Sequence, residues 1–146
     1  MSEYSHEWIC RNIVDGAQDA IIFADAVGIV RLWNSGAEAI FGYSPSEAIG
    51  QDLDIIIPEK LRERHRQGYR KVMETGVSKY MKELLAVPAL RKDGARISIE
   101  FSIVILKSDD GRIVGAAALI RDVTARWERE KASVHRRDPS TGSEQA

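Results

Sequence analysis

The chain has 146 residues, of which 44% are hydrophobic and 29% are charged, and its formal net charge is −1. This length and composition fit one globular domain. A net charge so close to zero gives no electrostatic reason to expect a nucleic acid or an anionic membrane as a partner.

An amphipathic helix is predicted at the start of the chain, within residues 1–17. Four apolar side chains recur near one side of it at helical spacing: Trp8, Ile9, Ile13 and Val14. Two strands should follow, because AIIFAD (20–25) and IVRLW (29–33) flank a turn that Gly28 permits.

Two short helices are predicted next, and each has its own N-terminal signal. Asn34 is a good N-cap for the segment SGAEAIFGY. In the segment SPSE, Ser44 can cap the helix, Pro45 takes the first helical position, and Glu47 can complete a capping box.

A longer, mostly charged helix is predicted over residues 58–75, starting at a proline and ending before Gly76. Its apolar side carries Leu61, Gly68, Tyr69 and Val72 at helical spacing. His65 lies on that same side, one turn after Leu61 and one turn before Tyr69. An imidazole buried there without a partner would cost about 1–3 kcal/mol, so we expect it to have one.

Strands dominate the second half of the chain. Residues 79–90 are apolar with an internal Pro88, which predicts an edge strand or a bulge. After the turn RKDG, residues 97–106 alternate, and the face that should be buried carries Ile97, Ile99, Phe101, Ile103 and Ile105. A last strand, residues 113–123, should lead into a polar helix that Thr124 starts.

This order of elements predicts an α+β domain, in which five antiparallel strands carry short helices on one face. We assign residues 18–123 to the core of the domain. The flanking segments are an N-terminal helix (1–17), a C-terminal helix (124–137) and a disordered tail (138–146).

Residues that carry chemistry are sparse. Cys10 is the only cysteine, so an intrachain disulfide is excluded, and no Cys/His zinc spacing is present. GxSxG, GxGxxG and phosphate-loop motifs are also absent, and we therefore predict that the chain is not an enzyme. No apolar run is long enough to span a membrane, and MSEYSHEW lacks the pattern of a signal peptide, so a cytoplasmic location is expected.

Several segments, in their order and spacing, resemble the PAS domain (S-box) family over roughly residues 10–125. They are two strands ending in LWN, the segments AEAIFGYSPSEAIGQ, IIIPE, RKDG and DDGRIVG, and the closing RDVT. The resemblance implies a five-stranded sheet that cups a cavity holding haem, flavin, a metabolite or nothing. It also implies a terminal helix that passes signals onward or mediates dimers, and Asp122 and Thr124 match the D-x-T at its junction.

Locally, the chain is most similar to haem-binding oxygen-sensor PAS domains, whose proline-started helix carries the histidine that ligates the haem iron. His65 falls on that position, and Leu61 and Tyr69 lie on the same side of the helix. On the same register the resemblance implies three distal-pocket residues: Leu85, Phe101 and Ile103. Leu85 stands where some of these sensors have an oxygen-binding arginine, and Met81 matches a second axial ligand only after a two-residue shift.

The same resemblance implies the surroundings of the cofactor. An apolar wall would cover the flat macrocycle, formed by Ile99, Phe101, Ile103 and Leu119. Three cations of the helix would meet its propionates: Arg64, Arg66 and Arg70.

The leading hypothesis is a sensory domain that binds haem b through His65 and detects a small gaseous ligand or a redox state. It would signal through its terminal helices to a downstream protein or output domain, as in two-component systems. The alternative is a module without a cofactor, or with another small ligand, that serves dimerisation or partner docking. Flavin is less favoured, because the N-C-R-F-L-Q stretch of flavin photoreceptors is absent.

A homodimer is expected through the N-terminal helix and the outer face of the sheet. Trp8, Ile9 and Ile13 need burial, and a short isolated helix is marginally stable in water. Trp8 and Trp127 are candidates for a shared dimer contact, whereas Trp33, at the end of a strand, is expected to serve core or rim packing.

Overall fold

The computed structural model describes residues 4–78 and 84–137, with the side chains of Leu85 and of residues 131–137 left out of that description. The predicted tail (138–146) and Met81 therefore lie outside the described residues. The strands are β1 Ala20–Asp25, β2 Val30–Trp33, β3 Leu85–Leu90, β4 Arg96–Lys107 and β5 Ile113–Asp122. The helices are α1 His6–Gly16, α2 Ser35–Phe41, α3 Pro45–Ala48, α4 Arg62–Thr75 and α5 Thr124–Arg137.

One five-stranded antiparallel sheet forms the frame of the domain, with the strand order β2-β1-β5-β4-β3. This confirms the predicted α+β architecture. β3 is an edge strand, as predicted from Pro88, which lies opposite Ser98 of β4. The other edge, β2, is covered by the loop after α3, where the Val30 N–H donates to the Gln51 carbonyl (2.8 Å).

The pairing of β4 with β5 decides which side chains face the helices, because directly opposite residues share a face. Ile103 lies opposite Ala118 on the inner face, with the other predicted inner residues of β4. Leu119 instead lies opposite Ser102 on the outer face and is 40% exposed. The prediction that Leu119 joins the apolar wall is therefore wrong. β5 is rich in small residues, and its sequence lacks the alternation that would reveal the two faces.

The core lies between the inner face of the sheet and the helices α2 and α3. Phe41 and Ile22 are fully buried in it. Trp33 packs against Phe41, with ring centroids 5.7 Å apart, and its Nε1–H donates to the Tyr43 carbonyl (2.8 Å). Trp33 is therefore a packing residue, as predicted.

The predicted local signals are present at the ends of the elements. The Asn34 side chain caps α2, accepting a hydrogen bond from the Ala37 N–H (2.9 Å). Ser44 and Glu47 form both bonds of the capping box. Gly28 takes φ = 89° in the turn between β1 and β2, which a residue with a Cβ rarely adopts.

The helix predicted over residues 58–75 differs from the structure at its start. A 3-10 turn, Glu59–Leu61, precedes α4, which begins at Arg62. No side chain caps α4 at Leu61, so the sequence contains no capping signal for its true start. Among the described residues, no helix is both long and apolar enough to cross a membrane.

Candidate ligand-binding cleft

A cleft of about 410 Å³ opens between α4 and the turn that joins β1 to β2. α4 contributes His65, Arg66, Tyr69, Arg70, Met73 and Glu74. The turn contributes residues 26–28, and Asp52 and Leu53 complete the lining. This volume falls within the usual range for small-molecule sites, about 300–1,000 Å³.

His65 is half-buried in this cleft. Within the described part of the chain its ring makes no hydrogen bond, and it stacks on Tyr69 with ring centroids 6.0 Å apart. Burial lowers the pKa of His65, against the opposing effect of the Asp54 and Asp52 carboxylates. The ring is therefore neutral at pH 7 and has a nitrogen lone pair available to a ligand.

The charged side chains near His65 differ in whether they already form an ion pair. Arg66 forms an ion pair with Asp54, whose other carboxylate oxygen, Oδ1, is buried without a hydrogen-bond partner among the described residues. Arg70 lines the same cleft and forms no hydrogen bond or ion pair within residues 4–78 and 84–137. Arg70 thus has no charged partner among the described residues, while the charge of Arg66 is shared with Asp54.

Tyr69 connects the cleft to the sheet. Its hydroxyl lies 3.0 Å from the carbonyl oxygen of Ala24 and 2.8 Å from that of Asp25, and it donates to this pair. Burial raises the pKa of Tyr69 to about 12, so the hydroxyl stays protonated at physiological pH. Sequence analysis placed Tyr69 beside a ligand and missed this contact, since it joins residues more than 40 positions apart.

Only some of the predicted residues of this helix lie at the cleft. His65 and Tyr69 line the cleft, whereas Leu61, in the turn before α4, is half-buried outside the lining. Arg64 is exposed on α4 and is not part of the lining either, so its place beside a propionate stays a prediction.

Two of the three predicted distal residues, Phe101 and Ile103, lie outside the described lining of the cleft. Phe101 packs against the core on the inner face of the sheet, and Ile103 is half-buried on the same face, but neither lines the cleft. The backbone of Leu85 pairs opposite Phe101. Cys10 is exposed on α1 and is not part of the cleft lining.

The cleft fits haem on the side of α4. His65 offers a neutral imidazole, and Arg66 and Arg70 stand on the same cleft, where acidic groups of a ligand would need cations. The described residues contain no group of three or more His, Cys, Asp or Glu side chains that could hold a metal ion. A haem group, in contrast, would be held by one histidine of this helix, His65, because the macrocycle would supply the other nitrogens. On the sheet side the fit is incomplete, since Phe101 and Ile103 do not reach the lining.

The comparisons with known proteins agree with this architecture. A family described as the PAS fold matches residues 14–128. An uncharacterized protein of Azorhizobium caulinodans is 35% identical over 117 residues, which are 80% of this chain and 16% of that protein. Sensor protein FixL of Bradyrhizobium diazoefficiens is 32% identical over 78% of this chain and 22% of its own length.

Two further similarities extend the comparison. Oxygen sensor protein DosP of Escherichia coli is 30% identical over 65% of this chain and 12% of its own length. The crystal structure of a PAS domain from Colwellia psychrerythraea superposes with a TM-score of 0.73 at 27% identity, covering 83% of this chain and 99% of that domain. The chain thus spans less than a quarter of each of the three curated relatives, and nearly all of the solved domain.

Proposed function

The chain belongs to the PAS family, and from this premise we propose that it is the sensory domain of a signalling protein and binds haem b through His65. Bound haem would supply an iron centre that responds to a small gaseous ligand or to a change of redox state. The response would pass through the terminal helices to an output domain or a downstream protein. The prediction that the domain itself is not an enzyme belongs to the same proposal.

The observation that carries the proposal is the state of His65. It is half-buried and neutral and faces a ligand-sized cleft, and it has no hydrogen-bond partner among the described residues. A neutral imidazole is the form that binds iron, so no proton must leave before ligation. The similarity to two sensors, the sensor protein FixL and the oxygen sensor protein DosP, supports a sensory role.

The remaining residues of the cleft would hold the ligand in place. Arg70, which has no ion-pair partner among the described residues, would pair with a propionate at the rim. Arg66 would do so only by sharing its bond to Asp54. Met73 and Leu53 would supply apolar contact to the macrocycle. Oxygen specificity is not part of the proposal, because the residue at the distal arginine position is Leu85.

Titration of the apoprotein with haemin tests the proposal. Wild-type protein should develop a Soret band, and His65→Ala should bind haemin at least about tenfold more weakly. His6→Ala, which removes an exposed histidine on α1, is the matched control and should titrate like wild type. Thermal unfolding of the apoproteins shows whether His65→Ala keeps its fold. Identical Soret titrations of wild type and His65→Ala would remove His65 from its proposed role.

A second candidate function is a cofactor-free module for dimerisation or partner docking. The observation that favours it is the exposure of apolar side chains on two surfaces, namely Trp8 and Ile13 on α1 and Val104 and Leu119 on the outer face of the sheet. Wild-type protein that binds no haemin and forms a dimer would support this function over the first.

A further inference from the structure

α4 is attached to the rest of the domain by few contacts. None of its residues is buried. Arg62 and Arg66 bind to the segment that precedes the helix, through the Ile57 carbonyl (3.0 Å) and the Asp54 carboxylate. Among the described residues, Tyr69 is the only side chain of α4 that forms a hydrogen bond to a strand. Among the described residues, this hydroxyl is therefore the one side-chain hydrogen-bond link between α4 and the sheet.

The Tyr69 hydroxyl binds where two central strands come unusually close. It bonds to the carbonyls of Ala24 and Asp25 at the end of β1, and Ala24 lies opposite Ala116 of β5. A Cβ atom added to Gly115 would lie 2.2 Å from the Ala24 oxygen, so only glycine allows this approach. We call Tyr69, the two carbonyls that it binds and Gly115 the Tyr69 joint.

The Tyr69 joint lies next to the candidate ligand residue and leads toward α5. His65 and Tyr69 are one helical turn apart, and their rings stack. On the other side of the joint, β5 runs to Asp122, and only Val123 separates it from α5, which begins at Thr124. The start of α5 is fixed to the sheet, because the Ser98 N–H donates to Oγ1 of Thr124 (2.9 Å). A continuous set of contacts thus joins the cleft to the C-terminal helix.

We propose that the Tyr69 hydroxyl couples the cleft to the sheet, so that a displacement of α4 at His65 is passed through the Tyr69 joint to β1 and β5 and on to α5. The displacement changes the balance between two arrangements of α4 on the sheet, and the hydroxyl is what makes the strands respond. The inference rests on the proposed function only in taking ligand binding at the cleft as the natural cause of the displacement.

The test displaces α4 by substitution and needs no ligand. Amide resonances of the apoprotein are compared by NMR before and after His65→Ala, in the wild-type and in the Tyr69→Phe background. In the wild-type background, resonances of α4, of residues 24–30 and of residues 113–124 should shift. In the Tyr69→Phe background the shifts outside α4 should fall about twofold or more, while those within α4 remain.

Tyr43→Phe is the matched control. Tyr43 is half-buried, and its hydroxyl has no hydrogen bond within the described part of the chain. This background should therefore transmit the full response to His65→Ala. Equal shifts in residues 24–30 and 113–124 with and without the Tyr69 hydroxyl would overturn the proposal. So would a wild-type response confined to α4.

The outcome of this NMR test does not depend on whether the protein binds haem. Absence of a Soret band would refute the haem proposal and leave the coupling result in place. Loss of coupling alone would leave His65 as a haem ligand and remove Tyr69 as its link to the sheet.

Discussion

Asn34 organises three segments of the chain with one side chain. Its Oδ1 accepts hydrogen bonds from the backbone N–H groups of Ile21 (2.8 Å) and Ala37 (2.9 Å). Its Nδ2 donates to the carbonyls of Val14 (2.7 Å) and Asp19 (3.1 Å). The amide thus ties the end of α1, the start of β1 and the first turn of α2 to one point, and it is only 3% exposed.

Replacing Asn34 should be costly, because four backbone groups would lose their partner in a place that water reaches poorly. We expect Asn34→Ala to lower the free energy of unfolding by about 3 kcal/mol, measured by urea denaturation. Asn12→Ala is the control, since Asn12 is an exposed amide whose one bond, to the Trp8 carbonyl, can be replaced by water. Similar losses in both variants would contradict the role assigned to Asn34.

A comparison of Arg70 with Arg64 shows whether an arginine on α4 strengthens haemin binding through its position at the cleft or only through its charge. Both lie on α4 and both are exposed, but only Arg70 lines the cleft. Arg70→Ala should weaken haemin binding about two- to fivefold, as expected for one exposed ion pair, and Arg64→Ala should leave it unchanged. Soret titration measures both. Equal weakening would mean that net charge, and not the position of Arg70, attracts the ligand.

Glu47 should make stability depend on pH. The hydrogen bond from Lys92, with the backbone N–H of Ser44, lowers the pKa of Glu47 from 4.5 to about 2. Because the folded-state pKa lies below the unfolded one, the stabilisation is complete above pH 4.5 and is lost as the pH falls toward 2. Glu47→Gln, which can still complete the capping box, should therefore melt at a lower temperature than wild type at pH 7. This difference in melting temperature should shrink as the pH is lowered from 4.5.

Thermal melts followed by circular dichroism from about pH 7 down to about pH 2 measure this difference in melting temperature, because that range spans both the unfolded-state and the folded-state pKa of Glu47. The difference should be small, because both partners of the ion pair are exposed. Glu59→Gln is the control, since the Glu59 side chain forms no hydrogen bond or ion pair within the described residues. A difference for Glu47→Gln that does not change with pH would show that the ionised form is not what stabilises the fold.

At the scale of elements, the sequence predicts features that depend on neighbouring residues, but not contacts between distant segments. The capping box at Ser44, the turn at Gly28 and the alternation of β4 were all predicted, because each depends on residues within a few positions. The face of Leu119 was predicted wrongly, because it depends on the register between β5 and β4. The bond from Tyr69 to β1 also has no sequence signature, since nothing in either segment specifies the other.

α1 is the element whose packing is least complete. It is joined to the domain at its C-terminal end, where the Val14 and Asp15 carbonyls accept bonds from Asn34 and Ser35. Its apolar side chains remain outside the core, and Ile13 is 62% exposed. The outer face of the sheet is also apolar, with Val104 and Leu119 exposed. Both surfaces would be covered in a homodimer, which therefore stays our prediction.

A charge on α1 should disrupt that dimer. We expect Ile13→Glu to weaken self-association at least about tenfold, because a charge in the centre of an apolar interface would lose its hydration. Val77→Glu is the control, since Val77 is also an exposed apolar residue but lies after α4. Light scattering across a dilution series measures both. A wild-type protein that is monomeric at high concentration would refute the homodimer.

At the scale of the whole molecule, burial is distributed unevenly. The core cluster is built by the sheet with α2 and α3, including the fully buried Phe41. α1 and α4 contribute no buried residue, although they have 11 and 14 residues. The candidate cleft thus lies against a helix that contributes no buried residue to the core, which is where a ligand-driven displacement costs little.

This distribution predicts the order of local unfolding. By length alone, the 14-residue α4 should be more persistent than the seven-residue α2, because short helices are marginal in water. Burial predicts the reverse, since α2 carries Gly36, Ala37 and Phe41 in the core. Native-state hydrogen exchange of the apoprotein should therefore show the hydrogen-bonded amides of α4 opening with a free energy about 2 kcal/mol or more below those of α2, β1 and β5. If α4 exchanged as slowly as α2, the helix would be part of the rigid core. The proposal that signalling begins with a displacement of α4 would then have to be abandoned.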